Sequence, residues 1–234
     1  MSTDPHLSFD DHAASYDVDL HRGLALSGET KEYFARGRVA RVADRLALLR
    51  HPVESVLDYG CGDGSTAPLL GGLLQAGSVT GVDTSGGLLA QAREAYGSES
   101  VSFFPLEEAV PDGDHDLAFC NGVFHHIPPR ERSLAVGYVW ESLRPGAMFA
   151  FWENNPWNPG TRWVMSRIPF DRDAITIPPP EGRRLLTAGG FEILATDFMF
   201  FFPRFLAWFR PLERHLAGWP LGAQYLILAR KPAP

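Results

Sequence analysis

Short apolar segments alternate along this chain with segments whose apolar residues recur at helical spacing. Strands are predicted at 54–59, 78–83, 101–104, 116–121 and 147–153, with helices between them at 65–75, 86–96 and 130–143. Val39, Val42 and Leu46 in the segment 36–50 predict an amphipathic helix that covers a sheet. Its polar face is predicted to carry the arginines Arg36, Arg38, Arg41 and Arg45. Because helices connect successive strands, this rhythm predicts an α/β fold with a parallel sheet between two helical layers.

The segments before residue 36 and after residue 153 do not follow this alternation of strands and helices. We interpret residues 1–35 as two short helices that form a lid, and the proline-rich segment 154–180 as an insertion that is helical around 161–167. A helix at 181–190 and strands at 191–202 and 223–231 follow, with an amphipathic helix broken at Pro211 between the two strands. We therefore predict a single domain: a lid, a core over 36–153, an insertion, and a C-terminal part over 181–234 that completes the sheet.

Composition narrows the class of protein. The chain has 234 residues and a formal net charge of −7, and it has no basic run, which argues against nucleic acid as a partner. Cys61 and Cys120 are the only cysteines and are not closely spaced, so neither a disulfide nor a metal site is predicted. The N-terminal residues contain no long apolar run, which favours a soluble, cytoplasmic protein.

The stretch VLDYGCGDGST, residues 56–66, carries the clearest chemistry. Three alternating glycines after a strand allow a tight turn that a ligand can approach closely, and Ser65 or Thr66 is placed to cap the next helix. The free amides of that helix start favour an anionic group, whereas Asp58 before the turn favours an ammonium or a hydroxyl. A ligand with both an ammonium and a carboxylate fits these two ends.

The spacing of this loop argues against a nicotinamide dinucleotide. The sequence GCGDGS lacks the G-x-G-x-x-G pattern of a pyrophosphate-binding turn. Asp83 ends the second strand about 20 residues further on, where a carboxylate can accept hydrogen bonds from ribose hydroxyls. The alternative is that Asp83 caps a helix beside Thr84 and Ser85.

VLDYGCGDGST, GVDTS, DLAFCNGVFHHIPP and LRPGAMFAFWE together resemble the class I S-adenosylmethionine-dependent methyltransferases, over residues 36–153. The resemblance implies a Rossmann-like, mostly parallel seven-stranded sheet of order 3-2-1-4-5-7-6 with the last strand antiparallel. It also implies S-adenosyl-L-methionine as the cofactor, with Asp58 near its ammonium and Asp83 on its ribose. The predicted cofactor-binding residues are Asp58, Gly60, Cys61, Gly62, Asp83, Thr84, Glu107, Asn121 and Gly122, of which Glu107 is not part of the family pattern.

One part of the pattern departs from this family. Many relatives have a Gly-Asp pair after the third strand whose aspartate meets the adenine amine, whereas this chain has Pro105-Leu106-Glu107-Glu108. Glu107 is our candidate substitute, displaced by one position. The alternative is that Glu107 is a solvated loop acid.

His125 and His126 follow the fourth strand, near the expected position of the transferred methyl group. A histidine can remove a proton from a hydroxyl or amine acceptor, so both are candidate general bases. The alternative is structural, because a His-His pair before Ile-Pro recurs in this family as a loop feature. Methyl transfer also proceeds without a base when the reacting atoms are aligned in a dry pocket.

Candidate acceptor-binding residues come from the lid and the insertion: Tyr16, Tyr33, Glu153, Asn154, Trp157 and Arg162. Alternatively, Trp157 and Trp163 pack the insertion onto the sheet and Arg162 pairs with Asp171 or Asp173. The aromatic stretch 198–209 is explained mainly by core packing, with contact to a membrane surface as a minor alternative.

These observations predict a methyltransferase that moves a methyl group from S-adenosylmethionine to oxygen, nitrogen or carbon of a small-molecule acceptor. A catalytically silent protein that binds the cofactor, or a scaffold at a membrane surface, is the alternative. An NAD-dependent oxidoreductase is disfavoured by the loop spacing. The acceptor and the oligomeric state do not follow from the sequence.

Overall fold

The computed structural model describes residues 23–25, 27–171 and 174–233. Most of the predicted lid, including Tyr16, therefore lies outside the described residues. The end of that segment belongs to helix α1 (Lys31–Leu49), which begins before the predicted start at 36. Thr30 explains the earlier start, because its hydroxyl accepts a hydrogen bond from the Tyr33 N–H and so caps the helix.

Seven strands form one sheet of order β3-β2-β1-β4-β5-β7-β6. Strand β7 is antiparallel to β5 and β6, and the other pairs are parallel, which confirms the topology that the resemblance implied. The strands are β1 (Ser55–Tyr59), β2 (Ser78–Asp83), β3 (Val101–Pro105), β4 (His115–Asn121), β5 (Leu143–Asn154), β6 (Glu192–Met199) and β7 (Gln224–Arg230).

Helices lie between these strands, close to the predicted positions. They are α2 (Ala67–Leu74), α3 (Gly86–Tyr96), α4 (Arg132–Ser142), α5 (Pro159–Met165), α6 (Pro179–Ala188) and α7 (Glu213–Leu216), with 3-10 turns at Pro169–Asp171 and Arg204–Leu212. The predicted side-chain cap of α2 is wrong, because Thr66 at its N-cap makes no capping bond and the Ser65 hydroxyl donates to Asp63 instead.

Both faces of the sheet are buried, since residues that alternate along each strand pack against different helices. On one side, Val56 and Trp152 belong to a core that includes residues of α1, α2 and α3. On the other side, Leu57 and Phe151 pack with residues of α4 and α6. Residues 147–153 of β5 are all buried, as the uninterrupted apolar run predicted.

The connection between β6 and β7 differs from the prediction. Instead of an amphipathic α-helix broken at Pro211, the chain forms a 3-10 segment whose backbone leaves helical geometry at Leu206. Phe198 and Phe200 are buried, but Phe205 and Trp208 are 76% and 74% exposed, so core packing explains only the first part of the aromatic stretch. None of the described helices is long and apolar enough to cross a membrane.

Candidate functional site

A cavity of about 1090 Å³ opens at the carboxyl ends of β1, β2 and β4. Strand β1 lies between β2 and β4, so the cavity is at the point where the order of the strands reverses, the usual ligand site of open α/β sheets. Its volume is slightly above the usual range of about 300–1,000 Å³ for small-molecule sites. The cavity therefore has room for a cofactor and an acceptor together.

The three glycines of the loop after β1 have left-handed backbones and different surroundings. A Cβ at Gly60 would lie 2.3 Å from Val123, and one at Gly64 would lie 2.7 Å from Phe103, so neither position tolerates a side chain. A Cβ at Gly62 would meet no atom within 4 Å, because that position faces open space. Gly60 and Gly64 thus pack the loop, whereas Gly62 lets a ligand approach the backbone.

Two buried oxygen atoms at the strand ends lack a hydrogen-bond donor among the described residues: Oδ2 of Asp58 and Oδ1 of Asn121. Both residues line the cavity. Burial raises the pKa of Asp58 to about 7, and the negative charges of Asp83 and Asp63 add to this rise, while Arg38 opposes it. A buried acceptor of this kind needs a donor, and an ammonium group supplies one.

Asp83 shapes the loop from the end of β2. Its Oδ2 accepts a hydrogen bond from the Gly62 N–H at 2.8 Å, and its Oδ1 accepts one from the Ser85 N–H at 2.9 Å. The N-cap of α3 is Ser85, whose hydroxyl accepts a hydrogen bond from the Leu88 N–H. The capping function considered for Asp83 therefore belongs to Ser85. A carboxylate oxygen can accept more than one hydrogen bond, so these backbone contacts are compatible with a ligand hydroxyl.

The cavity brings together most of the predicted cofactor residues: Asp58, Gly60, Cys61, Gly62, Asp83, Thr84, Asn121 and Gly122. Glu107 is not among the lining residues, and it is exposed in the turn after β3. Its neighbour Leu106 lines the cavity instead.

His125 and His126 lie on the loop after β4 and meet two carboxylates. His125 is buried, with Nδ1 2.6 Å from Glu153 Oε2 and Nε2 3.5 Å from Asp171 Oδ1. Nε2 of His126 lies 3.3 Å from the same Asp171 oxygen. The other oxygen of Glu153 accepts from the Phe124 N–H at 2.9 Å, so the acid is fixed beneath the loop.

Because of these contacts, the two histidines differ in protonation state. Burial lowers the pKa of His125, but Glu153 and Asp171 outweigh it and raise that pKa to about 10, so this imidazole is protonated at neutral pH. Burial and the charge of His125 lower the pKa of His126, which is therefore neutral. Burial alone would raise the pKa of Asp171, yet its contacts with the histidines lower it to about 2. Of the two predicted bases, only His126 is neutral.

The candidate acceptor residues divide in two. Tyr33 and Asn154 line the cavity, whereas Glu153 is buried behind His125, and Trp157 and Arg162 are exposed outside the lining. The considered pairing of Arg162 with Asp171 is wrong, because the ion-pair partners of that acid are His125 and His126. Asp173 lies outside the described residues.

The insertion reaches the site because it is tied to both sides of the cavity. The Asn158 side chain caps α5 by accepting from the Thr161 N–H, and the Thr161 hydroxyl donates to the carbonyl of Ala223 before β7. At the other end, the Ile175 N–H donates to the His125 carbonyl at 2.9 Å. These bonds place Asp171 beside the histidines.

The sequence analysis missed two residues at the site. Asp171 was considered only as a partner of Arg162. Arg38 was placed on the polar face of α1, but it is buried, lines the cavity and donates to Gln224 Oε1 at 3.0 Å. Helical spacing was the available signal, because position 38 shares the buried stripe of Ala35, Val39 and Val42.

Part of the chain is similar to known methyltransferases. Residues 56–146 match the family model described as a methyltransferase domain. The trans-aconitate 2-methyltransferase of Deinococcus radiodurans is 31% identical over 121 residues, which are 50% of this chain and 45% of that protein. The chain thus spans about half the length of the curated relatives it matches.

Solved structures share the fold. A Mesorhizobium loti S-adenosylmethionine-dependent methyltransferase has a TM-score of 0.57 at 19% identity, over 76% of this chain and 91% of that one. Human N-acetylserotonin methyltransferase, solved with S-adenosylmethionine, has a TM-score of 0.64 at 17% identity, over 99% of this chain and 61% of that one. Residues 56–146 thus match a methyltransferase domain, and the sheet as a whole has the fold of these methyltransferase structures.

Proposed function

We propose that this protein transfers a methyl group from S-adenosylmethionine to a small, largely apolar acceptor. The observation that carries the proposal is the pair of orphaned oxygens, Asp58 Oδ2 and Asn121 Oδ1, in the cavity that Gly62 also faces. The ammonium and the ribose hydroxyls of such a cofactor would donate hydrogen bonds to Asp58 and Asp83. Its carboxylate would accept hydrogen bonds from the free amides of the glycine loop.

The residues of the donor side have separate tasks in this proposal. Asp58 accepts hydrogen bonds from the ammonium, and Asp83 accepts them from the ribose hydroxyls while it holds the Gly62 N–H. Lys31 pairs with Asp63 and so ties α1 to the glycine loop. When bound, the cofactor supplies a sulfonium-activated methyl group, which is a strong electrophile.

The remaining part of the cavity indicates the chemical class of the acceptor. Aromatic and aliphatic side chains dominate it, among them Tyr33, Phe34, Ile127, Trp163, Met165, Ile168 and Phe201. Among the described residues, the lysine and arginine that line the cavity already have partners, since Lys31 pairs with Asp63 and Arg38 donates to Gln224. This lining favours an apolar acceptor over a tricarboxylate such as trans-aconitate, the acceptor in the name of the relatives.

In this site the chain's contribution is alignment and exclusion of water. The apolar wall would hold the acceptor so that its nucleophilic atom, the methyl carbon and the sulfur lie in line. The group His125–Asp171–His126 is a polar patch of the lining near the predicted methyl position. The nucleophilic oxygen, nitrogen or carbon of the acceptor would be directed towards this patch.

Calorimetry with S-adenosylhomocysteine, the demethylated product, tests the donor side. We expect binding by the unmodified protein and a loss of about 100-fold in affinity for Asp83→Ala, because the ribose contact and the loop geometry are both lost. The matched control is Asp112→Ala, which removes an exposed acid and should leave the affinity unchanged. Absence of binding by the folded protein, or an unchanged affinity in Asp83→Ala, would contradict the proposal.

Transfer of a labelled methyl group tests the acceptor side. We expect labelling of apolar phenols or amines and weaker labelling of tricarboxylates, since the described lining offers aromatic contacts and few cations. Binding of S-adenosylhomocysteine without transfer to any acceptor would instead indicate the silent cofactor-binding protein. Preferred labelling of trans-aconitate would show that the lining has been interpreted wrongly.

A further inference from the structure

Three side chains at the acceptor end of the cavity have the arrangement of metal ligands. A ring nitrogen of His125, a ring nitrogen of His126 and a carboxylate oxygen of Asp171 all lie within 4.8 Å of one another. All three residues line the cavity. Asp171 lies 45 residues or more along the chain from the histidines, so the tertiary structure alone brings the group together.

The donor set indicates the kind of ion. Two imidazole nitrogens and one carboxylate oxygen suit divalent ions such as Zn²⁺, Fe²⁺ or Co²⁺, whereas Mg²⁺ and Ca²⁺ prefer oxygen ligands alone. Three protein ligands leave coordination positions open for water or a substrate atom. Because these residues face the cavity, the open positions would face the acceptor.

An independent observation also points to a bound ion. Nε2 of His125 is completely buried and has no hydrogen-bond partner in the part of the chain that the structure describes. The facing carboxylate oxygen, Asp171 Oδ1, is 3.5 Å away, beyond normal hydrogen-bond length. A buried nitrogen that lacks a partner costs free energy, and a divalent ion that displaces the proton of Nε2 and releases it to solvent would satisfy this nitrogen.

Glu153 fixes the direction of this nitrogen. The acid is 1% exposed and contacts His125 Nδ1 at 2.6 Å, which turns Nε2 towards Asp171. Its second oxygen is held by the Phe124 N–H. A carboxylate behind a histidine is the usual outer partner of a metal-bound imidazole, because it fixes the tautomer and the orientation of the ring.

The local charge favours a cation as well. Glu153 and Asp171 are both buried, and the ion-pair partners that the described structure gives them are histidines rather than arginine or lysine. Two carboxylates beside two imidazoles leave an excess of negative charge in a low-dielectric region. A divalent ion would compensate this charge.

We propose that His125, His126 and Asp171 bind one divalent transition-metal ion, with Glu153 as the outer acceptor that orients His125. Only the role of the ion rests on the proposed methyl transfer: it would hold an oxygen or nitrogen of the acceptor at an open position. A ligated His126 would then position the acceptor through the ion rather than accept its proton.

Titration of metal-free protein with Co²⁺, followed by its visible absorption, tests the site, and calorimetry with Zn²⁺ measures the affinity. We expect one equivalent to bind with a spectrum of nitrogen and oxygen ligands, and an excess of Mg²⁺ not to displace it. Asp171→Ala and His126→Ala should each weaken binding by about 100-fold, and Glu153→Gln by about 10-fold. His215→Ala, which removes an exposed histidine on α7, is the matched control and should bind as the unmodified protein does.

Folded protein that binds neither ion, or Asp171→Ala and His126→Ala proteins that bind like the control, would overturn the proposal. Circular dichroism identifies a variant that has not folded, and His126→Gln, which keeps the size of the side chain, then takes its place. Calorimetry with S-adenosylhomocysteine on the same samples separates the two proposals. Cofactor binding without metal binding contradicts only the metal site, whereas metal binding without cofactor binding contradicts only the methyltransferase function.

Discussion

The two halves of the cavity are built in different ways. On the donor side, Asp58, the glycine loop and Asp83 lie at or next to the ends of adjacent strands, and the backbone carries much of the geometry. On the acceptor side, contacts join parts of the chain that are far apart, such as Asp171 with His125, or Ile175 with the His125 carbonyl. A donor site of the first kind tolerates little change, whereas the second kind can be rebuilt around the same fold.

Substitution of two loop glycines gives the sharpest test of the backbone contribution, and the largest expected effect. Gly60→Ala adds a Cβ 2.3 Å from Val123 at a φ of +72°, and we expect the free energy of unfolding to fall by about 3 kcal/mol. Gly62→Ala has a φ of +55° but no atom within 4 Å, so we expect a loss of about 1 kcal/mol together with weaker cofactor binding. Urea denaturation compares the two, and equal losses would contradict the packing role of Gly60.

Asp58→Asn tests the electrostatic part of the donor site. The amide keeps the shape of the side chain but cannot pair as an anion with the ammonium, so we expect the affinity for S-adenosylhomocysteine to fall by about 100-fold. Calorimetry measures the affinity, and Asp112→Asn, at an exposed acid, is the matched control. If Asp58→Asn binds as tightly as the control does, the ammonium lies elsewhere.

Binding of the cofactor should also depend on pH, because the pKa of Asp58 is raised to about 7. Below pH 7 the carboxyl is protonated and its attraction for an ammonium is lost, so we expect the affinity to fall by up to about tenfold per pH unit. Calorimetry between pH 5.5 and 8 measures this slope, and Asp58→Asn should give a flat profile over the same range.

Without cofactor, the raised pKa of Asp58 makes the folded protein less stable as the pH rises, whereas cofactor binding becomes tighter. Because the pKa of Asp58 in the folded state lies above its value in the unfolded chain, its contribution to stability is complete below the unfolded value and is lost as the pH rises through about 7. At pH 8, Asp58→Asn should therefore unfold at a higher denaturant concentration than the unmodified protein. A lower midpoint would show that Asp58 is stabilised as an anion.

Glu107→Gln has the smallest expected effect. Since Glu107 is exposed outside the cavity lining, we expect the affinity for S-adenosylhomocysteine to stay within about twofold of the unmodified value. A tenfold loss would support the sequence-based assignment of Glu107 to the adenine amine, and it would show that the turn after β3 rearranges when the cofactor binds.

How far the sequence predicted this protein depended on the range of the interactions. Helix α3 was predicted at its observed bounds, because its hydrophobic spacing is a local signal. The segment 204–212 was not, since its exposed aromatics have helical spacing although no core is there to stabilise an α-helix. Arg38 was misplaced for a related reason: a charged residue in a buried stripe depends on partners elsewhere in the chain, in this case Gln224.

The sequence by itself determined the order of the elements, the glycine loop and the two acids of the donor side, because these follow from backbone preferences and from spacing within one or two elements. Only the tertiary structure decided that Asp171 joins the histidines, that Glu153 lies beneath His125, and that Glu107 is exposed away from the cavity. Such contacts depend on where distant segments meet, and hydrophobic periodicity does not encode that position.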